Sequence, residues 1–557
     1  MSSMSRGRAA LAGITAAAVA IGVAEPVAVL TGPRSAPLIA VGGLVVDVVP
    51  EPVKQFAIAV FGRYDKIALL VGTAVLLAAI AALIGVLAAR RLRIGLAGIA
   101  AFAALGVAAA LTRAGADAFD ALPSLVGGVL GALTLWAFVA GPLGEDRRPG
   151  PVREAVSPGP VRGADMSSPP PEAATRPAVP PALAALAPDE GPAGWEPAEP
   201  AGDESRRRFL RGVGLLAGTA AVAGLGGHWL AGRRGVSAAR AAVRLPAPVA
   251  PAPPVPAGAD LGVRGLAPFV TPNREFYRID TALVVPQVDP VTWRLRIHGR
   301  VRKPLELSFD DLLARPMVER DITLACVSNE VGGDLIGNAR WLGVPIRDLL
   351  AEVEPEEGAD QVVGRSVDGW TCGTPTAVLR DGRDALLAVG MNGEPLPVAH
   401  GFPVRMVVPG LYGYVSACKW VTELELTSFA DFDAYWVPRG WSAQGPIKTE
   451  SRIDTPRRRD GLTAGPVTVA GVAWAQHRGI RRVEVRVDDG PWHEATLAPT
   501  VSVDTWVQWS WRWDATPGEH TLRVRATDAT GETQPEQRSP VAPDGATGWH
   551  TLPVTVG

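Results

Sequence analysis

Cys326 is the residue whose surroundings point most directly to chemistry. It closes the apolar run from Thr323 to Ala325 and is followed by Val327 to Glu330, a glycine pair at 332 and 333, and Gly337 to Trp341. A cysteine at the end of an apolar run is often a buried, inert thiol. The alternative is a metal ligand, because a thiolate is a soft donor that a cationic pocket helps to keep deprotonated. The rest of the sequence decides between the two.

Further polar and glycine-containing motifs lie on both sides of Cys326. They are Thr271 to Arg278 upstream and, downstream, Asp368-Gly369-Trp370, Met391 to Pro397, His400 to Arg405, Val408-Pro409-Gly410, Ser416 and Lys419-Trp420. An anionic group with polar edges would need cationic forks and backbone donors, which His400, Arg405, Ser416 and Lys419 could provide. Glycines 401, 410 and 413 would let the backbone approach such a group closely, or would simply form turns.

Over about residues 268 to 430, these motifs in this order resemble the molybdenum domain of the sulfite oxidase and assimilatory nitrate reductase family. The resemblance implies a molybdenum-molybdopterin cofactor with Cys326 as the protein's metal ligand. It implies catalytic roles for Cys326, Arg278 and Trp370. It also implies a larger set of cofactor-binding residues: Asn273, Tyr277, Arg278, Asp280, Cys326, Asn329, Asp368, His400, Arg405, Ser416 and Lys419.

The substrate pocket implied by the resemblance is less cationic than that of sulfite oxidases. Arg278 stands where the family has a substrate-site arginine, although a structural salt bridge would also explain it. The second arginine, a few residues after the ligand cysteine, is absent from Asn329 to Gly332, and Trp370 stands where those enzymes place a tyrosine. Sulfite itself is therefore in doubt. Four residues could restore the charge from elsewhere: Arg340, Arg439, Lys448 and Arg452.

Residues 1–145 predict a four-helix transmembrane region. A bilayer core of about 30 Å needs roughly 20 apolar residues in a helix. Four stretches reach that length: 9–31, 67–89, 94–112 and 121–143. The positive-inside rule assigns their flanking arginines to the cytoplasm, and the four helices then cross the membrane in alternating directions. The apolar residues 35–60 are broken by prolines and charges, which favours an interfacial or re-entrant segment.

A linker and a signal-like segment connect this region to the globular half. Residues 146–204 are rich in Pro, Ala, Glu and Gly, the composition of a disordered linker. Residues 205–231 begin Ser-Arg-Arg-Arg-Phe-Leu-Arg and continue as an apolar run, which resembles a twin-arginine export signal. A fifth transmembrane helix is the alternative. Both interpretations place the following domain outside the cytoplasm, and we favour an uncut anchor, followed by a second linker at 232–262.

The globular half divides into two predicted domains. Residues 263–455 mix short strand-like and helical runs, so the expected class of the molybdopterin domain is α+β. Residues 456–557 alternate apolar and polar side chains, as in Val483 to Val487 and Trp506 to Trp513, between turns at Asp489-Gly490 and Pro517-Gly518. This pattern predicts an immunoglobulin-like β-sandwich. By resemblance it would be a dimerisation domain, which would make the protein a homodimer.

Composition excludes several other functions. The net charge of −2 with scattered basic residues argues against binding to nucleic acid. Three cysteines cannot form a four-cysteine cluster or a disulfide-dense scaffold. Only His228 of the seven histidines precedes residue 298, and there is no C-x-x-C-H motif, so no haem is predicted in this chain. Electrons would pass to an external redox carrier or to a membrane electron-transfer subunit.

The sequence thus predicts a multi-pass, membrane-anchored enzyme with an extracytoplasmic catalytic domain. Its reaction would be two-electron oxo transfer to sulfite or another small sulfur compound. Oxo transfer is reversible, so a reductase of S-oxides or N-oxides is an alternative, and a non-catalytic membrane scaffold or receptor is another. Cys372 and Cys418 each lie near a pocket motif and either pair with each other or are simply two small buried residues.

Overall fold

The computed structural model describes residues 4–49, 53, 65–112, 116–143, 202–233 and 235–557. The predicted linker at 146–204 lies outside the described residues up to residue 201. By contacts, the chain forms two compact units: Met1–Ala20 with Leu76–Ala101 and Gly128–Ala221, and Ile21–Val75 with Phe102–Gly127 and Val222–Gly557. All the strands described below belong to the second unit.

Helices form at each of the apolar stretches. They are α1 Arg6–Thr31, α2 Pro37–Val48, α3 Asp65–Arg90, α4 Leu92–Leu111, α5 Leu122–Val139 and α6 Gly202–Arg233. Five spans among the described residues are long and apolar enough to cross a membrane: Arg6–Thr31, Val71–Arg90, Leu92–Leu111, Ala118–Val139 and Arg206–Gly227. Helix α2 has 12 residues, or about 18 Å, and is shorter than a bilayer core. Within the first unit, Phe138 of α5 packs against Phe209 of α6 with ring centroids 5.0 Å apart.

The segment predicted as the second linker is partly built into the globular half. Residues Ser237–Ala242 form the short helix α7. The Arg240 side chain donates to the carbonyl of Leu396 at 2.7 Å, and the backbone of Val249 donates to Met317 at 2.8 Å. Spacing and composition gave no sign of this docking, because it depends on partners about 70 to 150 positions away.

Two five-stranded sheets form the next domain. Their strands are β1 Arg294–Gly299, β2 Leu305–Ser308, β3 Val318–Ala325, β4 Ile336–Pro345, β5 Gln361–Ser366, β6 Thr371–Pro375, β7 Leu386–Met391, β8 Glu394–Pro395, β9 Arg405–Val407 and β10 Val421–Thr427. One sheet has the order β2-β1-β10-β5-β6, and the other has β3-β4-β7-β8 with β9 paired to β7. The helices are short: α8 Phe309–Leu313, α9 Ile346–Val353 and α10 Gly413–Ser416. Sheet therefore dominates this domain.

The core of this domain fixes the end of β3, where Cys326 lies. Strands β3 and β4 pair antiparallel from Val318 to Ala325, and most of their side chains are buried. Trp341 of β4 is completely buried, and its indole N–H donates to the carbonyl of Ile322 at 3.1 Å. A buried indole needs such a partner. The bond holds β3 against β4 four residues before Cys326.

The remaining strands form a β-sandwich. They are β11 Glu450–Thr455, β12 Gly465–Trp474, β13 Ile480–Val487, β14 Trp492–Glu494, β15 Thr496–Leu497, β16 Val507–Ala515, β17 Gly518–Asp528 and β18 His550–Val556. The two sheets have the orders β11-β12-β16-β15 and β14-β13-β17-β18. The sandwich begins earlier than residue 456, because β11 pairs with β12. Residues 450–452 show no alternation of apolar and polar side chains, because Glu450, Ser451 and Arg452 are all buried polar residues.

Buried hydrogen bonds join the sandwich to β3. The backbone N–H of Trp506 donates to the Thr323 hydroxyl at 2.8 Å, and that hydroxyl donates to Asn338 Oδ1 at 3.0 Å. Gln476 donates to the carbonyl of Thr323 at 3.1 Å. Thr323 and Gln476 are at most 1% exposed. The strand that ends at Cys326 is thus bonded to both domains.

Replacing Thr323 by valine should destabilise the globular half by about 2 kcal/mol. Valine has the same shape but leaves the buried Trp506 N–H and Asn338 Oδ1 without their partner. We expect the thermal midpoint in detergent to fall by several degrees, at about 2 to 4 °C per kcal/mol. Thr551→Val, at an exposed position, is the matched control and should change little. Equal midpoints for both variants would contradict the role of Thr323.

Candidate active site

A short loop holds Cys326 in place. Residues 326–333, the Cys326 loop, follow β3 directly, and the backbone N–H of Cys326 donates to the carbonyl of Leu335 at 2.9 Å. Asn329 closes the loop, since its backbone donates to the carbonyl of Cys326 and its Oδ1 accepts from the N–H of Leu335 at 2.9 Å. The Cys326 thiol is buried, and its position is determined by bonds at both ends of this turn.

The thiol faces several groups that favour its charged form. The backbone N–H and hydroxyl of Ser328, the Lys419 ammonium and the N–H of Val327 all lower its pKa, but burial raises the pKa more, and the net effect is an increase. The pKa of the Cys326 thiol without a metal therefore lies above its usual value, although Lys419 lowers it. The charge of a bound metal favours a thiolate strongly enough to displace the proton.

A buried charged cluster surrounds the thiol side of the sheet. Asp280 accepts from Arg278 Nε at 2.8 Å and from Lys419 Nζ at 2.7 Å. Lys419 is almost fully buried, and burial lowers its pKa to about 8. Arg405 acts on both Lys419 and Tyr277, so its guanidinium belongs to the same cluster. Arg278 and Lys419 thus share the carboxylate of Asp280, and Arg405 adds a third cation, so the cluster favours an anion.

Arg405 is the member of this cluster that most clearly lacks a counter-ion. It is buried, and its guanidinium donates only to the carbonyls of His400 at 3.2 Å and Met406 at 3.4 Å, while it lies 5.0 Å from the Trp341 ring. Burial lowers its pKa to about 10, and no described carboxylate opposes this effect. A buried cation without an anion is costly, by several kcal/mol. A bound phosphate would remove that cost.

His400 and Tyr277 form the uncharged wall of the cluster. His400 Nε2 donates to the carbonyl of Asn273 at 2.9 Å, and burial together with Arg405 lowers the pKa of His400 to about 4. His400 is therefore neutral and is not one of the cations. Burial and the Cys326 charge raise the pKa of Tyr277, so its phenol stays protonated. Both residues contact the Phe276 ring.

Gly401 is needed for the cluster to pack. Its φ is +111°, and a Cβ there would lie 3.0 Å from the Arg405 Cβ and 3.2 Å from the Lys419 Cβ. A side chain would be strained by the backbone angle and would push the two cations apart. Of the sequence's glycine predictions, this one has a clear structural reason.

Other predicted site residues are engaged in local structure. The Ser416 hydroxyl donates to the carbonyl of Tyr412 at 2.9 Å, and the Asn273 amide bonds to Glu394 and Asn392. Asp368 accepts from the backbone of Trp370 at 3.2 Å in the β5–β6 turn. The buried Asn329 Nδ2, beside Cys326, has no partner among the described residues and is available to a bound group. Roles for Ser416, Asp368 and Trp370 remain predictions.

None of the four residues proposed to restore the pocket's charge is unpaired. Arg340 binds Asp321 at 2.8 Å, Lys448 binds Asp544 at 2.8 Å, and Arg452 binds Asp454 at 2.5 Å. Arg439 lies over the Tyr435 ring at 3.7 Å. Among the described residues, the site therefore keeps Arg278 as its one half-exposed cation.

The structure also shows contacts of the cysteines and of the sandwich that lie outside the predicted motifs. The two cysteines that could pair, Cys372 and Cys418, are both free and fully buried. Cys372 Sγ lies 3.9 Å from Met406 Sδ, and Cys418 Sγ lies 3.7 Å from the carbonyl oxygen of Lys419. Arg452 and His550 of the sandwich contact the Cys326 loop. No local motif identifies His550, because it lies more than 200 positions from Cys326. Its only sequence signal is its place at the start of a strand.

Comparisons with known proteins agree with this geometry. Residues 282–436 match the family described as "Oxidoreductase molybdopterin binding domain", and residues 450–524 match "Bacterial Ig domain". The sulfite oxidase of Gallus gallus is 30% identical over 324 residues, covering 49% of this chain and 70% of that protein. The mitochondrial sulfite oxidase of Mus musculus is 31% identical over 323 residues, which is 49% of this chain and 58% of that protein.

A solved structure is also partly similar. The sulfane dehydrogenase SoxCD from Paracoccus pantotrophus has a TM-score of 0.45 and 25% identity, covering 52% of this chain and 84% of that chain. The matches place residues 282–436 in the molybdopterin-binding class. The chain belongs to the sulfite oxidase family of molybdopterin-dependent oxidoreductases. It spans 58% of the length of its mammalian relatives.

Lys419 gives the site a testable dependence on pH. Since burial lowers its pKa to about 8, its charge is present at pH 7 and is lost as pH rises through 8. We expect bound molybdenum, measured by elemental analysis after desalting, to fall between pH 7 and pH 9.5. Lys419→Arg should retain the metal at the higher pH because arginine stays charged. The exposed Lys303→Arg is the control, and equal losses in all three proteins would rule out this role of Lys419.

Proposed function

We propose that this chain is a molybdopterin-dependent oxidoreductase that performs two-electron oxo transfer on sulfite or another small sulfur compound. The observation that carries the proposal is the buried Arg405 guanidinium. It has no carboxylate partner in the described part of the chain and lies in the same cluster as Lys419 and the Cys326 thiol. A thiol that can bind a soft metal and a dry cationic site for a phosphate are the two requirements of this cofactor.

The residues fit the cofactor in distinct roles. Cys326 would bind molybdenum, while Arg405 and Lys419 would bind the phosphate. The neutral Tyr277 phenol and the unpartnered Asn329 Nδ2 are further donors. When bound, the molybdenum centre supplies the oxo-transfer chemistry. The protein's part is to orient the thiol and to keep the cationic site free of water.

Arg278 is the residue we propose for substrate binding. Its side chain is 36% exposed, whereas that of Lys419 is 11% exposed, so it is the most accessible cation of the cluster. Asp280 fixes one edge of its guanidinium at 2.8 Å. An oxyanion held by Arg278 alone would bind more weakly than one held by several arginines.

Reduction of an S-oxide or N-oxide is the second candidate. The observation that favours it is the engagement of Arg340, Arg452 and Lys448 with carboxylates elsewhere. A pocket with one accessible cation suits a neutral substrate better than sulfite does. A non-catalytic scaffold is less consistent with the site, because an unpaired buried guanidinium would destabilise a protein that bound no anion.

Metal content and turnover test the proposal together. Purified wild-type protein from a host that makes the cofactor should contain about one molybdenum per chain and should reduce a dye when sulfite or another sulfur compound is added. Cys326→Ser should abolish turnover because a hydroxyl is a poor soft-metal ligand. Arg405→Met should lose most of the metal, whereas Arg439→Met, outside the cluster, should retain it. A metal-free wild type would overturn the enzyme proposal.

Substrate choice separates the two candidate reactions. Dye reduction on addition of sulfite would support oxidation. Oxidation of a reduced dye on addition of an S-oxide or N-oxide would support the reductase. Metal-loaded protein without either activity would point to other sulfur compounds as substrates.

We also propose that the helices anchor the enzyme and that its catalytic domain is extracytoplasmic. Five apolar spans of suitable length support the anchor. The packing of Phe209 against Phe138 supports a fifth helix that packs with the other spans. Electrons would then leave to an external carrier or membrane subunit, and a homodimer through the sandwich stays a proposal by family resemblance.

Labelling of introduced cysteines should show the sidedness. The three native cysteines are buried and should react slowly. In intact spheroplasts, a membrane-impermeant maleimide should label Arg458→Cys, in an exposed loop of the sandwich. It should label Arg91→Cys, between α3 and α4, only after permeabilisation. The reverse pattern would place the catalytic domain in the cytoplasm.

A further inference from the structure

The Cys326 loop is held by the C-terminal sandwich as well as by its own domain. Three basic side chains of the sandwich reach it: Arg452, Arg538 and His550. Arg538 forms an exposed ion pair with Glu330 at 3.3 Å, and such pairs contribute little. Arg452 and His550 are buried or nearly so, and their contacts are with the loop backbone.

Arg452 binds the far end of the loop. Its Nη1 donates to the carbonyl of Gly333 at 2.7 Å. Asp454, on the same strand, accepts from Arg452 Nε at 2.5 Å and from Nη2 at 3.3 Å. The side chains of this ion pair are at most 10% exposed. The carboxylate therefore fixes the guanidinium in the orientation that the Gly333 carbonyl requires.

His550 packs directly on Gly332. A Cβ added to Gly332, whose φ is +79°, would lie 2.4 Å from His550 Cδ2 and 2.5 Å from Nε2. The ring is fixed from the other side, because the backbone N–H of Ile453 donates to His550 Nδ1 at 3.0 Å. That bond requires Nδ1 to be the acceptor, so the neutral ring carries its proton on Nε2, beside the loop.

We infer that His550 and Arg452 are positioning residues through which the C-terminal sandwich sets the conformation of the Cys326 loop. The loop is tied to Leu335 at its Cys326 end and to the sandwich at Gly332 and Gly333. The direction of the Cys326 thiol thus depends on a second domain. The catalytic consequence rests on the proposed function, because a metal ligand that is loosely supported orients its metal poorly. The positioning itself does not depend on a bound metal.

Hydrogen exchange of the loop amides in the full-length protein tests the inference. Amides 327–335 should exchange about tenfold faster in His550→Ala than in wild type, which corresponds to about 1.4 kcal/mol of local opening. His550→Asn should restore much of the protection, because its Oδ1 can accept from Ile453 in place of Nδ1. Arg452→Met should act like His550→Ala, and Arg452→Lys should have a smaller effect, since one donor remains.

Two matched controls separate positioning from general loss of stability. His520→Ala removes another histidine of the same sandwich, one that bonds to Asp488 at 2.8 Å and not to the loop. Arg538→Ala removes the exposed pair with Glu330. Both should leave loop exchange within about twofold of wild type. Uniformly faster exchange over the whole sandwich in His550→Ala and Arg452→Met would overturn the inference, and so would unchanged loop exchange.

The metal provides an independent second measurement. In molybdenum-loaded protein, His550→Ala should shift the Mo(V) electron paramagnetic resonance g values, and His550→Asn should bring them back towards wild type. Unchanged g values in loaded His550→Ala would overturn the catalytic consequence. If wild type binds no molybdenum, the proposed function fails, while faster loop exchange in His550→Ala would still support the positioning.

Discussion

The burial of Arg405, which has no carboxylate partner among the described residues, is the constraint on which the charged cluster depends. A guanidinium in a dry interior is unfavourable unless an anion accompanies it. The carboxylate of Asp280 is already bound to Lys419 and Arg278, so it does not pair with Arg405. Gly401 lets Arg405 and Lys419 approach each other, and neutral His400 adds no further repulsion. The fold thus places a cluster of cations with few carboxylates beside a buried thiol.

Both globular domains contact the segments that position the Cys326 thiol. Strand β3, which leads to Cys326, is hydrogen-bonded to Trp341, Asn338 and Trp506. Trp506 belongs to the sandwich. The loop after Cys326 is bounded by Arg452 and His550, which also belong to the sandwich. A domain that family resemblance links to dimerisation is therefore bonded to the strand and the loop on either side of the proposed metal ligand. Rigid support of this kind orients a metal ligand.

The exposed part of the site differs in its charge balance from the buried part. In the buried cluster, the described cations outnumber the carboxylates. The cations proposed to act from elsewhere are instead paired with carboxylates: Arg340 with Asp321, Arg452 with Asp454 and Lys448 with Asp544. The interior suits a permanently bound phosphate. The half-exposed Arg278 suits a small substrate that comes and goes. The buried and the exposed parts of the site therefore differ in how their cations are paired.

The sequence by itself determined the order of motifs that identifies Cys326, Arg405 and Lys419, and the apolar stretches and alternating strands around them. These signals are local: they depend on spacing along the chain and on burial of one face of an element. Tertiary structure alone decided that Arg405 is unpaired, that the Ser416 hydroxyl bonds within its own turn, and that Arg452 reaches Gly333 across 119 positions. Such contacts depend on how sheets pack, and packing brings together residues whose separation in sequence carries no signal.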